Sequence, residues 1–373
     1  MKKIGIYGGT FDPVHNGHIM LAKAAMESFS LDEVYFVPAG HPYFKTESRV
    51  ITLGAWRKKM LELAVSGHRH FLVSDVELKR EGFTYTADTL LEFKKTFPED
   101  ELYFIMGADS FAFISSWYDP ETIFRIAKCI VATRNGQVSE KNLSDEASRL
   151  KKTYGADIRL LSWDGRDISS SDIRLAASKG RYDLDVPEKV AGFIKKAGLY
   201  LENPDVSQLK YRLKALLKPS RFSHSLGVAE TAVDLALCHG FADTNKAYLA
   251  GLLHDCGKPF ADALTHAAVG AEIAEKYFCI KDPEILSAIK CHTIGRIDMS
   301  LLDKIIFTAD FIEPTREGFL GLKQIRKESY LDLNKAMLMC MESTVQYLET
   351  TGRHIDEESL KVYTYYKELF TEE

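Results

Sequence analysis

The chain has 373 residues, 46% of them apolar and 27% charged, with a formal net charge of −5. That length exceeds one typical core and implies two domains, while the charge balance, 28 basic against 27 acidic residues up to position 200 and 20 against 26 beyond it, excludes an extended basic surface for nucleic acid. No apolar run approaches the ~20 residues that span a bilayer, and the first residues enter a strand directly instead of a signal-peptide core, so a cytoplasmic protein without a membrane role is expected.

Ile4–Tyr7 is a short apolar strand that runs into Gly8-Gly-Thr-Phe-Asp-Pro-Val-His-Asn-Gly-His18, turning from strand through a glycine loop into a helix that starts near Gly17. This is the build of a phosphate site. Glycines let backbone N–H groups approach an anion, and a helix N-terminus adds unpaired donors and the positive end of its dipole. His15 and His18, three residues apart, can lie on one side of the helix start and face the same oxygens; capping of the helix is the alternative role for the pair. Further strand candidates are Glu33–Pro38, Phe71–Ser74, Leu102–Met106, Cys129–Ala132 and Ile158–Leu161, separated by helical stretches. The alternation predicts an α/β doubly wound parallel sheet, Rossmann-like, with helices on both faces and ligands beyond the carboxyl ends of the strands. Phe111, Phe113 and Tyr118 read as core aromatics. Ile168-Ser-Ser-Ser-Asp-Ile-Arg174 then supplies a second phosphate signature.

The two phosphate motifs together resemble the nucleotidyltransferases that move AMP or CMP from a triphosphate. Three further segments, Glu77–Leu90, Glu101–Trp117 and Val186–Tyr200, are similar to bacterial nicotinate mononucleotide adenylyltransferases, and the likeness covers essentially all of residues 1–200. The resemblance implies that ATP, carried with Mg²⁺, meets Gly8, Gly9, Thr10, Phe11, His15, His18, Lys45, Ser170, Ser171 and Arg174. His15, His18 and Arg174 are then the catalytic contacts. It implies that the acceptor, nicotinate mononucleotide, meets Thr86, Asp109, Trp117 and Arg134: a hydroxyl for the pyridine carboxylate, a carboxylate for ribose and an indole for stacking. A core position for Trp117, a helix-capping role for Asp109 and another phosphorylated acceptor remain open alternatives. Two departures stand out: His41-Pro-Tyr-Phe-Lys45 replaces the usual Pro-Pro-His-Lys-like run, and Ser171 stands where threonine is common.

After position 200 the pattern changes. Residues 201–206, with Asn203-Pro-Asp205, read as a linker, and 207–373 as an all-α domain with helical segments at Val206–Leu217, Ser223–His239, Lys246–His254, Ala267–Phe278, Glu284–Cys291, Leu301–Phe311 and Leu331–Leu348. Six scattered cysteines without a Cys-x-x-Cys pair argue against a zinc ribbon or a disulfide framework.

This half contains Arg221-Phe-Ser-His-Ser225, Leu252-Leu-His-Asp-Cys-Gly-Lys258, His266, Cys291-His-Thr-Ile-Gly295 and Thr308-Ala-Asp-Phe-Ile-Glu-Pro-Thr-Arg316. An adjacent His-Asp pair with a histidine well before it and an aspartate well after it resembles the HD metal phosphohydrolases. The resemblance implies a metal site of His224, His254, Asp255, His266, His292 and Asp310, enough for two ions bridged by Asp255. Imidazole plus carboxylate, without thiolate, suits Fe, Mn, Co or Ni over a structural zinc, and by resemblance iron is expected first and manganese next. Two ions about 3.5–4 Å apart can activate water and clamp the phosphorus it attacks. His-Thr-x-Gly and Ala-Asp-Phe-Ile-Glu-Pro-x-Arg are similar to the HD symmetrical dinucleoside tetraphosphatases, which implies a dinucleoside polyphosphate substrate, a catalytic Asp255 and phosphate contacts from Lys258 and Arg316. Only ten residues separate Asp255 from His266, a short connection for such a site. A nucleotide-sensing module without turnover, or hydrolysis of another phosphorylated nucleotide, is the alternative. His239 reads as a helix cap, and Cys256 and Cys291 as packing residues beside the ligands. The partners expected overall are small nucleotides, and self-association is left open.

Overall fold

The computed structural model describes residues 1–40, 50–134, 140–163, 165, 168–316 and 321–371, and the chain forms two compact units, Met1–Leu201 and Glu202–Glu373. The first holds six strands, β1 (Lys3–Gly9), β2 (Glu33–Pro38), β3 (Phe71–Val73), β4 (Glu101–Gly107), β5 (Ala127–Arg134) and β6 (Ile158–Trp163). They form one sheet in the order β3-β2-β1-β4-β5-β6, every neighbouring pair parallel. The helices between and after them are α1 (Asn16–Phe29), α2 (Gly54–Val65), α3 (Thr86–Thr96), α4 (Ala108–Phe111), α5 (Pro120–Ile126), α6 (Glu140–Tyr154), α7 (Ser170–Ser178) and α8 (Glu188–Ala197).

Both faces of this sheet are covered, which is why its strands read as continuous apolar runs. Ile4, Ile6, Leu102, Phe104, Cys129 and Val131 share one face and pack on Leu90 and Phe93 of α3, Ile123 and Phe124 of α5, and Leu143 and Leu150 of α6. Gly5 points to the other face, where a Cβ would come within 3.0–3.2 Å of Leu31, Val34 and Ile105. The strand order reverses at β1, whose neighbours are β2 and β4. Loops leaving β1 and β4 diverge there, and a crevice opens at their carboxyl ends.

The second unit is helical: α9 (Val206–Leu216), α10 (Pro219–Cys238), α11 (Thr244–Leu253), α12 (His266–Tyr277), α13 (Pro283–Cys291), α14 (Leu301–Ile312), α15 (Leu322–Glu328), α16 (Leu333–Thr350) and α17 (Glu357–Thr371). Asp205 opens α9 by accepting the Gln208 N–H at 2.8 Å. Two of these helices, α15 and α17, go beyond the segments that periodicity picks out. The first is seven residues with only Leu322 and Ile325 buried, too short to show a period. The second buries Val362 and Tyr366 among polar residues. Among the described residues no helix is long and apolar enough to cross a membrane.

One expectation about the core needs correction. Phe111 is fully buried, but Phe113 is 66% and Tyr118 57% exposed; both follow the end of α4, and Tyr118 lies against Tyr85 instead of in the core.

Candidate active sites

In the first unit the loop after β1 is built around Phe11. Its backbone is left-handed, with φ of 49°, and its ring is buried edge-on against Tyr7 and His18. It therefore supports His18 from beneath and does not present a face to solvent. Gly9 makes this possible, since a Cβ there would stand 3.0–3.2 Å from the Phe11 ring. At the start of α1 the His15 N–H donates to His18 Nδ1 at 3.1 Å, and the two rings stack with centroids 3.6 Å apart. With Nδ1 accepting, the His18 proton sits on Nε2, the donor form that an anionic oxygen requires. Capping thus occupies one nitrogen of the ring and leaves Nε2–H as a donor.

The second signature folds onto the first. The Arg174 guanidinium donates to the Asp12 carbonyl at 2.6 Å and to Ser171 Oγ at 2.7 Å, and Ser170 Oγ donates to the Pro13 carbonyl at 3.0 Å. Beside them lies a cleft of about 440 Å³ lined by Gly8, Gly9 and Thr10 at the end of β1, by Glu77 and Thr84 to Thr86, and by Phe104, Ser110 and Ser116 to Tyr118. Trp117 is half-buried, edge-on to Phe104. Asp109 is exposed in the first turn of α4, whose cap is Gly107; it neighbours the cleft-lining Ser110 without lining the cleft itself. Arg134 is the last residue of β5, and its side chain, like Lys45, lies outside the described part of the structure.

In the second unit six side chains from five places in the helical fold converge. His224 comes from α10, His254 and Asp255 follow α11, His266 opens α12, His292 caps α13 and Asp310 lies in α14. Asp255 sits between two groups. Its Oδ1 is 3.3 Å from His266 Nε2 and 3.6 Å from His292 Nε2; its Oδ2 is 3.6 Å from His254 Nε2 and 3.9 Å from His224 Nε2. Asp310 Oδ1 completes the second group, 2.9 Å from His224 Nε2 and 3.6 Å from His254 Nε2.

Each imidazole is oriented from behind. Nδ1 of His254 lies 2.7 Å from the Gly251 carbonyl, that of His292 2.7 Å from Ile289, that of His266 3.1 Å from Asp262, and that of His224 3.0 Å from Glu313 Oε1. The Nε2 lone pairs are thereby aimed inward. Nε2 of His254 is buried without a hydrogen-bond partner, and the buried Nε2 of His224 faces carboxylate oxygens of Asp310 and Asp255. A proton or a metal cation must therefore bridge His224 Nε2 and Asp310 Oδ1, and the donor set, four imidazoles and two carboxylates, fits divalent ions. Burial pushes the His254 imidazole down to about 4, keeping it neutral near pH 7. Burial also opposes ionisation of Asp255, yet His254, His266 and His292 hold its carboxyl well below the usual range. Three cations edge the cluster: Arg221 donates to Asp255 Oδ2 at 2.8 Å, Arg316 to Asp310 Oδ1 at 2.9 Å, and Lys258 Nζ lies 4.0 Å from Asp255 Oδ1.

Residues 6–176 match the cytidylyltransferase-like family and residues 221–315 the HD domain. A probable nicotinate-nucleotide adenylyltransferase of Lachnoclostridium phytofermentans is 42% identical over 204 residues, 54% of this chain and all of that protein. The chain belongs to the nicotinate-nucleotide adenylyltransferase family. An HD domain follows that unit along the chain. A second member, from Dehalococcoides mccartyi, is 41% identical over 202 residues, 53% of this chain and 97% of its own length. Among solved structures, a predicted HD superfamily hydrolase involved in NAD metabolism from Clostridium acetobutylicum is 34% identical, with a TM-score of 0.41, across 44% of this chain and 98% of that one.

Both units also contain site residues to which motif reading assigned no role. In the adenylyltransferase-family unit, Arg57 of α2 is 2% exposed and donates to the carbonyls of Thr52, Thr10 and Ala39 at 2.7–2.9 Å, tying the loop after β1 to the end of β2. Glu77 is buried in the cleft wall, accepting Thr89 Oγ1 at 2.8 Å, and burial raises its carboxyl above the usual range. In the HD unit Arg221 and Glu313 lie inside quoted motifs, but their partners are distant in sequence. His239 caps α10 with Nε2 2.6 Å from the Ser329 carbonyl. Cys256 turns away from the cluster toward the Gly270 carbonyl, and Cys291 lies 3.9 Å from Ser287 Oγ.

Proposed function

We propose that the chain is a bifunctional enzyme: its first unit transfers AMP from ATP to nicotinate mononucleotide, in NAD biosynthesis, and its HD unit hydrolyses a dinucleoside polyphosphate such as diadenosine tetraphosphate to ADP. For the first reaction the support is the family of the relatives together with the joined phosphate signatures and the cleft beside them. An acceptor phosphate oxygen forms a bond to the α-phosphorus as the bond to the bridging oxygen breaks, and pyrophosphate leaves with that electron pair. No covalent nucleophile is required, so alignment and charge stabilisation carry the catalysis. His15, the Nε2–H of His18, Ser170, Ser171 and Arg174 would hold the triphosphate, with Lys45 added by resemblance and Mg²⁺ carried on ATP. Thr86, Trp117, Asp109 and Arg134 would hold the acceptor.

For the HD unit one observation carries the reading: Asp255 directs one oxygen toward each of two imidazole groups. His224, His254 and Asp310 would hold one ion, His266 and His292 the other, with Asp255 shared. Iron is the first candidate and manganese the second. When bound, such a pair activates water and neutralises phosphate charge. Lys258 and Arg316 stand at the edge to draw in the polyphosphate, and neutral His254 keeps its lone pair inward. The test is metal analysis of the purified chain followed by assay with diadenosine tetraphosphate. Close to two ions per chain and ADP as sole product are expected. A well-folded chain that takes up no iron or manganese even on reconstitution overturns the hydrolase reading, and nucleotide binding without turnover would indicate a sensing module.

A further inference from the structure

Glu313 lies three residues past Asp310, at the end of α14, and is 1% exposed. Its carboxylate is surrounded by donors. Oε1 lies 3.0 Å from His224 Nδ1 and accepts the Thr315 hydroxyl at 2.7 Å, while Oε2 accepts the Thr315 N–H at 2.7 Å. The segment is clamped from outside by Arg326, which donates to the carbonyls of Ile312 and Glu313 at 2.7 Å each. On the opposite side α10 makes room for it. Gly227, one turn beyond His224, is where a Cβ would stand 2.6 Å from Glu313 Oε2. A glycine inside a helix is unfavourable, and here it is the opening through which the carboxylate reaches the imidazole.

His254 and His292 present Nδ1 to backbone carbonyls, and His266 to the Asp262 carbonyl with Lys258 Nζ 3.3 Å away; His224 presents it to a carboxylate. A carboxylate behind an imidazole fixes the Nδ1–H tautomer and raises the basicity of Nε2. We propose that Glu313 is a positioning residue for one half of the metal site, holding His224 in the ligating tautomer through the gap that Gly227 leaves in α10. This inference rests on the reading of the cluster as a metal site. It assigns Glu313 to the ion held by His224, His254 and Asp310 and not to the ion beside His266 and His292.

The test uses the full chain, Glu313→Gln and Gly227→Ala. Glutamine has one acceptor oxygen where three donors must be met, so one of them is left facing an amide NH₂. Alanine keeps the carboxylate and its charge but pushes it from the ring; its gain in helix propensity offsets part of the crowding, and far-UV circular dichroism checks that the variant is folded. Titration with Mn²⁺ is expected to show two equivalents in the wild type and, in both variants, one equivalent weakened about 10- to 100-fold with the other unchanged. The imidazole ¹⁵N spectrum of chelator-treated protein is expected to show protonated Nδ1 at His224 in the wild type and a smaller share of that tautomer in Glu313→Gln, where the amide can turn its NH₂ toward the ring, while adenylyl transfer is unaltered in both variants. Variants that match the wild type in both Mn²⁺ affinity and tautomer overturn this inference alone. A wild type that takes up neither Mn²⁺ nor Fe²⁺ overturns the metal reading, and this inference with it.

Discussion

His18 is one ring with two duties: Nδ1 accepts the backbone N–H of His15 and closes the start of α1, and Nε2 carries the proton. Removing the side chain should cost catalysis more than folding, because the capping contribution is about 1 kcal/mol while loss of one donor to a developing phosphate charge costs about 2 to 4 kcal/mol in barrier. His18→Ala is therefore expected to lower the rate of pyrophosphate release steeply at saturating substrates, and unchanged turnover would remove the phosphate role. Trp117 makes a different prediction. It lines the cleft while leaning edge-on against Phe104, so Trp117→Ala should raise the acceptor KM by about fivefold, in line with the loss of ~1 kcal/mol of ring stacking, and leave the ATP KM nearly constant. Equal effects on both constants would mark the indole as packing only. The motif around Trp117 was readable in the sequence, but its half-burial was not, because neighbouring Phe111 and Phe113 look alike in a string and end at opposite extremes of exposure.

At the scale of elements, the clearest case is α2. It contains Arg57-Lys58-Lys59, three consecutive cations with no periodic signature. Only the packed structure shows that Arg57 points inward, to three carbonyls of two separate loops, while Lys58 pairs with Asp75 at the edge. Arg57→Met would leave these carbonyls without their donor, at about 1 to 3 kcal/mol for each buried group left unpaired. The expected outcome is a lower urea midpoint for the first unit, followed by far-UV circular dichroism or fluorescence of its tryptophans, together with higher KM values for both substrates. A midpoint within error of the wild type would mean that water replaces the guanidinium. The sheet shows the same division, since parallel pairing was implied by alternating strands and helices while the strand order and its reversal at β1 follow from the observed pairing.

On the scale of the whole molecule, two units with separate cores predict separable chemistry. Asp255→Ala should lose metal and phosphohydrolysis together, since it removes the one carboxylate shared by both imidazole groups, while adenylyl transfer stays within about twofold of the wild type, as expected for sites that share no partners. Elemental analysis and the two assays on one preparation check this. Adenylyl transfer that falls in step with metal content would show that the units are coupled.

Local sequence determined the strands, most helices, the glycine loop and the order of His and Asp along the second half, because these depend on periodicity and on contacts among residues a few positions apart. The strand ends differ from the apolar runs by at most two residues. What only the tertiary structure decided is which atoms meet across long separations: the Asp255 oxygens between α10, α12 and α13, Arg174 on the Asp12 carbonyl 162 residues away, and Glu313 against His224 at a separation of 89. A buried carboxylate or guanidinium has no periodic signature, since its position is fixed by the donors and acceptors that packing brings to it.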